Sequence, residues 1–216
     1  MSGKLIVLEG IDGSGTTTQA NRIHAALFGL HVAVHVTEEP SQGPVGSLIR
    51  QILHGRLVST GFGGTSAPSW SVMALLFAAD RIDHLESEIL PNLSDGVNVI
   101  SDRYLHSSLA YQTATSGDEA NLDWVRAVNR FARTPDIIFF FDVDPQEAQR
   151  RRLSRRIGQE LYEDLPLQAR IAEQYRKLFR GPQDCRVVTV DANAPVDDVT
   201  RVLLGEIKPL LNLHSD

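Results

Sequence analysis

The segment GIDGSGTTTQ (10–19) sets glycines and hydroxyls where they can grip a chain of phosphates. It follows the phosphate-loop pattern G-x-x-x-x-G-K-[ST] through Gly10, Gly15 and Thr17, with Thr16 in the lysine position. Gly10, Gly13 and Gly15 let the backbone turn tightly and aim its N–H groups inward, and a following helix N-terminus completes an anion site. The Thr17 hydroxyl is placed to reach Mg²⁺. The lysine replaced by Thr16 normally reaches the β- and γ-phosphates of a nucleoside triphosphate.

Three other segments carry groups suited to a phosphorylated nucleoside. In ISDRYLHSSLAYQ (100–112), Asp102 is placed to hold Mg²⁺ through water. Arg103 offers a planar fork to phosphate oxygens, or else a surface ion pair. Ser108, Tyr111 and Gln112 stand at i, i+3 and i+4, on one helix face that can meet a base edge and a sugar. In MALLFAADRIDHL (73–85), Phe77 and Arg81 are i and i+4, an aromatic plane beside a guanidinium. On helical spacing alone, a core phenylalanine and a solvated arginine fit that pair better. In EAQRRRLSRRIGQELYED (147–164), arginines stand at 150, 151, 152, 155 and 156. The like-charge pairs Arg151–Arg155 and Arg152–Arg156 each cost about 0.2–0.5 kcal/mol in a helix. They suit a segment that closes over anions, or a basic face balanced by nearby glutamates.

The elements that must position these groups are legible as alternating patterns. Apolar runs at 5–9, 32–36, 97–101, 136–141 and 186–190 read as buried strands, separated by segments of helical periodicity. That alternation predicts an α/β fold with a parallel sheet covered on both faces. LIVLE leads into the glycine loop, and TTTQANRIHAALFG follows as a helix closed by Gly29. Segment 54–70, rich in Gly and Ser, reads as a surface loop. One domain, 1–216, is expected, with a small lid near 147–165.

Composition narrows the function classes. A net charge of −6 argues against a general nucleic-acid binder, and no apolar run approaches a membrane span of roughly 18–20 residues. The single cysteine, Cys185, excludes an internal disulfide and suits a reducing cytoplasm.

Together the motifs LIVLEGIDGSGTTTQ, VTEEPSQGPVG, LLFAADR, SDRYLHSSLAYQ, the arginine-rich segment with LYED, and VDAN resemble the thymidylate kinase family, in order and over nearly the whole chain. The resemblance implies a P-loop kinase fold with a five-stranded parallel sheet and a mobile lid. It also implies transfer of the ATP γ-phosphoryl to dTMP with Mg²⁺, and a homodimer. ATP would lie on Gly10, Gly13, Ser14, Gly15, Thr16, Thr17 and Thr18, with Ala192 of VDAN bordering adenine. Asp12 would face the sugar 3′-hydroxyl and Phe77 would stack on thymine. Arg81, Ser108 and Gln112 would contact the base edge, and Tyr111 would crowd the 2′ position. Arg50 and Arg103 would hold the acceptor phosphate, Thr17 and Asp102 the metal. Lid arginines Arg151, Arg155 or Arg156 would supply charge in the transition state.

Three positions depart from the family pattern, each removing a positive charge near phosphates: Thr16, Glu38 in place of the arginine of a REP motif, and Leu161 ahead of YE. They favour a second reading, a nucleotide-binding regulator or scaffold with little catalysis; a kinase for another monophosphate is the third. Only three lysines occur, Lys4, Lys177 and Lys208, and Lys4 precedes a strand that carries it roughly 16 Å from the loop.

Overall fold

The computed structural model describes residues 2–61, 64–154, 161–162 and 164–213. Its strands are β1 (Leu5–Gly10), β2 (Val34–Glu38), β3 (Ser59–Gly61), β4 (Gly64–Ser66), β5 (Asn98–Asp102), β6 (Ile137–Asp142) and β7 (Arg186–Asp191). Five form one all-parallel sheet in the order β2-β5-β1-β6-β7. Each predicted strand is present, shifted by at most two residues. Parallel pairing puts every carboxyl end on one edge, where Gly10, Glu38, Asp102, Asp142 and Asp191 end their strands. Ligands of open α/β sheets bind beyond that edge.

The central strands are apolar throughout because both faces are covered: every residue of β1 is buried, as are the first five of β6. The edge strands β2 and β7 are more exposed. Alternation along β1 divides the core. Ile6 and Leu8 pack in the larger cluster with Ala20, Ile23 and Leu27 of α1 (Thr16–Phe28) and Leu203 and Ile207 of α9 (Val196–Leu210). Leu5 and Val7 face Leu85, Ile89, Leu93 and Tyr104. Between these come α2 (Pro44–Leu53), α3 (Trp70–His84), α4 (Leu90–Ser94), α5 (Leu105–Ser116), α6 (Leu122–Val128), α7 (Pro145–Ser154) and α8 (Leu165–Arg180).

One expectation is corrected. Segment 54–70 is not all loop: β3 and β4 pair antiparallel, Ser59 opposite Ser66 and Thr60 opposite Thr65. β-branched threonines favour the pairing, and Gly64 takes a φ of 97° beside the turn. Gly29 does cap α1, but in a right-handed conformation. The chain tightens through Leu30 and His31 N–H bonds to Leu27 and Phe28 carbonyls, and His31 takes the left-handed turn at φ 58°.

His106 in α5 stacks on Phe179 at 4.8 Å with its Nδ1 shielded from solvent. Burial pushes its imidazole down to about 4, Arg126 and Arg81 adding to the effect and a Gln183 hydrogen bond opposing it. The unfolded chain, titrating near 6.5, then binds a proton that the folded chain refuses. Stability is therefore complete above about pH 6.5 and falls as pH drops towards 4, by on the order of 2–3 kcal/mol. Urea unfolding at pH 7 and pH 4.5 checks this. His106→Asn should flatten the acid limb, and an unaltered limb would mean that other groups set it.

Candidate active site

The loop between β1 and α1 takes its shape from two glycines. Gly13 and Gly15 have φ of 86° and 99°, and a Cβ on Gly13 would lie 2.4 Å from the Ala148 carbonyl. Gly15 begins α1 with no side-chain cap, so the helix presents its first N–H groups outward. Gly13, Ser14, Gly15 and Thr18 line one side of a hollow of about 820 Å³; Arg151, Ala192 and Asn193 line another. This hollow brings the loop and the VDAN segment together.

Thr16 is buried at the start of α1. No lysine replaces its missing amine. Lys4 pairs with Asp136 at 3.0 Å at the amino end of β1, and Lys177 pairs with Glu119 on the surface. Lys208 lies in α9, far along the chain from the loop. Arg151 lines the hollow beside the loop: its Nε donates to Glu147 (2.7 Å) and its Nη1 to the Ala192 carbonyl (2.9 Å). Hydrogen bonds from Arg150 and Arg151 hold the Glu147 carboxyl down at about 2. Arg152 lies across the loop, with Nη1 3.9 Å from Asp12 Oδ2. Arg155 and Arg156 lie outside the described residues.

A second cleft, of about 590 Å³ and open to solvent, lies on the other side of Asp12. Phe77, Arg81, Arg103, Ser108, Tyr111 and Gln112 all line it. The shared helix face on α5 is real: Ser108, Tyr111 and Gln112 are all buried towards the cleft. Phe77 is half-buried, packed on the α2 cluster while lining the cleft.

Arg81 is not a solvated neighbour. It is 1% exposed, and Nη2 donates to Glu39 (2.6 Å), the Tyr104 carbonyl (3.0 Å) and Ser108 Oγ (3.0 Å), while Nη1 donates to Asn129. Its buried Nε has no hydrogen-bond partner among the described residues. Gln112, beside the Tyr162 hydroxyl, likewise leaves Oε1 without a well-formed hydrogen bond. Burial pushes the Tyr162 phenol up to about 12, so it stays a neutral donor.

Arg103 adopts a φ of 73°, rare for a residue with a side chain. Its fork donates to the Gly10 carbonyl (2.8 Å) and to Asp12 Oδ1 (2.6 Å), beneath the Tyr111 ring at 5.1 Å. It is thus an ion pair, as the alternative sequence reading had it, but one lodged in the cleft. Thr17 Oγ1 donates to Asp102 Oδ2, and Asp102 Oδ1 is buried without a hydrogen-bond partner among the described residues. Hydroxyl and carboxylate so placed fit Mg²⁺, which needs only one or two protein oxygens beside phosphates and water.

Arg50 is placed differently from expectation. Its guanidinium is committed to the carbonyls of Pro40 (2.8 Å) and Ser41, and it lines a separate hollow with Ser47 and His54. It braces the bend after β2 that carries Glu39 and Pro40 into the cleft. Glu38 is exposed and accepts from Gln42 (2.8 Å); the Leu161 N–H donates to the Leu53 carbonyl (3.0 Å).

Four residues at the site were not among the site residues expected from the sequence. Glu39 binds Arg81, Tyr162 closes one wall of the cleft, and Arg152 covers the loop. Gln168 donates to Asp12 Oδ2 (2.7 Å) and the Tyr162 carbonyl (2.7 Å), and accepts from the Asp12 N–H (3.2 Å). The EP pair at 39–40 was the only local signal for Glu39; Gln168 lies 156 residues from Asp12 and had none.

The sequence model of one family, described as thymidylate kinase, matches residues 8–202. A "Probable thymidylate kinase" of Pyrococcus horikoshii is 39% identical over 208 residues, 96% of this chain and 97% of that protein. One from Thermococcus kodakarensis is 39% identical over 211 residues (95% and 98%), and one from Pyrobaculum calidifontis 37% over 203 (94% and 95%).

Proposed function

Because this chain belongs to the thymidylate kinase family, we propose that it transfers the γ-phosphoryl of ATP to dTMP, giving dTDP. The observation that carries this reading is the convergence of Phe77, Arg81, Arg103, Ser108, Tyr111 and Gln112 on one cleft, separated from the donor hollow by the phosphate loop. A mere nucleotide binder has no need of two such sites beside one phosphate loop, Asp12 lining one and Gly13 the other.

In this reading thymine stacks on Phe77. The Arg81 Nε–H and the Gln112 amide supply the unsatisfied polar atoms that a base edge fills. Tyr111 bounds the sugar and Asp12 meets its 3′-hydroxyl. Arg103 turns from Asp12 to the acceptor phosphate. Phosphoryl transfer demands alignment and charge stabilisation rather than a nucleophilic side chain. Thr17 and Asp102 would hold Mg²⁺, which when bound neutralises charge on the phosphate oxygens. Segment 147–165 closes as a lid over both nucleotides and excludes water. Among the described residues no helix is long and apolar enough to cross a membrane; a lone, unpaired Cys185 suits the cytoplasm.

A homodimer fits the exposed apolar stripe of Val72, Leu75 and Ile82 on α3 beside Leu48 of α2. Sedimentation equilibrium should give twice the 23.8 kDa chain mass, and Leu75→Asp should return the monomer. A monomeric natural protein would refute the dimer.

ADP production, coupled to a colour readout with Mg²⁺, ATP and each of dTMP, dUMP, UMP, CMP and AMP, tests the reaction. The natural Thr16 protein should use dTMP best. Backbone N–H groups still cradle the phosphates, and Arg151 brings a charge into the donor hollow. Arg151→Ala should lower turnover by about 10- to 100-fold, the worth of one charge-assisted hydrogen bond felt in the transition state. If the natural protein is inert and only Thr16→Lys phosphorylates dTMP, it is a nucleotide-binding relative instead.

A further inference from the structure

Within the apolar β1, one residue is charged: Glu9, fully buried on the core face next to Val7 and one residue before the phosphate loop. A carboxylate in the interior is costly unless its lone pairs are filled. Here they are filled by two elements from distant parts of the chain. Oε1 accepts the backbone N–H of Tyr104 (3.0 Å) and of Ser107 (3.2 Å). Oε2 accepts the Ser107 hydroxyl (2.6 Å) and the Tyr175 hydroxyl of α8 (2.9 Å).

We propose that Glu9 is a positioning residue for the acceptor phosphate: its carboxylate fixes the turn from Arg103 to Ser107 and so aims the Arg103 guanidinium into the cleft. The inference rests on the reading of Arg103 given above. Three features carry it. α5 has no side-chain cap from its own sequence, and Glu9 fills that place from across the sheet, binding the N–H of the residue directly after Arg103. That bond, with the Ser101 hydroxyl that donates to the Arg103 carbonyl (2.7 Å), holds Arg103 in its left-handed conformation. Ser107 Oγ also accepts from Arg103 Nη1 (3.3 Å) while donating to Glu9, so carboxylate and guanidinium share one hydroxyl. Burial pushes the Glu9 carboxyl up; Ser107, Arg103 and Tyr175 pull it back.

A role in aiming Arg103 differs from a role in building the cleft, because only the phosphate should notice. Binding of dTMP and of thymidine, measured by calorimetry on the full chain, separates the two. Glu9→Gln keeps the shape and loses the charge. It should weaken dTMP by about tenfold, one charge-assisted hydrogen bond, with thymidine and ATP within about twofold of the natural protein. Ser107→Ala removes only the shared hydroxyl. It should weaken dTMP by about threefold, again sparing thymidine, and it decides the matter if Glu9→Gln does not fold. Equal weakening of dTMP and thymidine, or none, overturns the proposal. If the natural protein does not prefer dTMP to thymidine, or keeps that preference in Arg103→Ala, the reading of Arg103 fails and not merely that of Glu9.

Discussion

Arg103→Ala is expected to lower kcat/KM for dTMP by about 10²–10⁴-fold, from the loss of two charge-assisted hydrogen bonds to the acceptor phosphate at about 1.5–3 kcal/mol each. The fold should survive. Of the groups that hold the guanidinium, the charge left behind, Asp12, is partly exposed, and the Ser107 hydroxyl keeps its bond to Glu9. KM for ATP should stay within about twofold, because Arg103 lines the acceptor cleft and not the donor hollow. Arg103→Lys keeps the charge but not the fork, and should recover only part of the loss. Steady-state kinetics with each substrate varied checks this. Unchanged turnover in Arg103→Ala would reduce the Asp12–Arg103 pair to a structural ion pair.

Arg81→Ala should be the most destabilising single change at the site, by about 3–5 kcal/mol, because it strands a buried carboxylate. Glu39 is 4% exposed and loses its 2.6 Å partner, leaving His84 at 3.4 Å. For a chain of this size that corresponds to a fall in Tm of roughly 10 °C or more. The double change Arg81→Met with Glu39→Gln removes both charges and should restore most of the Tm, since a buried pair can be replaced by uncharged groups at little cost. It should not restore dTMP binding, because the Nε–H offered to the base edge is gone. Recovery of both together would show that Arg81 serves stability alone. Scanning calorimetry and dTMP titration on the same three proteins give the answer.

Much of this molecule is written locally. Buried runs alternating with helical segments determined the all-parallel sheet, since a strand covered on both faces must be apolar throughout. Glycine spacing determined the phosphate loop, because only glycine tolerates the φ of 86° at Gly13 against the Ala148 carbonyl. The i, i+3, i+4 rule determined that Ser108, Tyr111 and Gln112 share a face. Thr17 and Asp102 were legible as a pair because each ends or follows a strand at the same edge of the sheet.

Tertiary structure decided what those groups touch. Helical spacing made Arg81 a solvated residue; Glu39 and Asn129, 42 and 48 residues away, make it one of the most buried side chains. Composition showed five arginines near the lid, but the phase of α7 against the loop sends Arg150 to solvent, Arg151 to the donor hollow and Arg152 to Asp12. Arg50, at the end of α2, turned to nearby carbonyls instead of the cleft. Glu9 reads as an interruption in a strand until Tyr104, Ser107 and Tyr175, up to 166 residues distant, supply its four hydrogen bonds. Periodicity reports which face a residue occupies within its own element; a buried charge is settled by the partner on another element, and that pairing leaves no periodic trace in either segment.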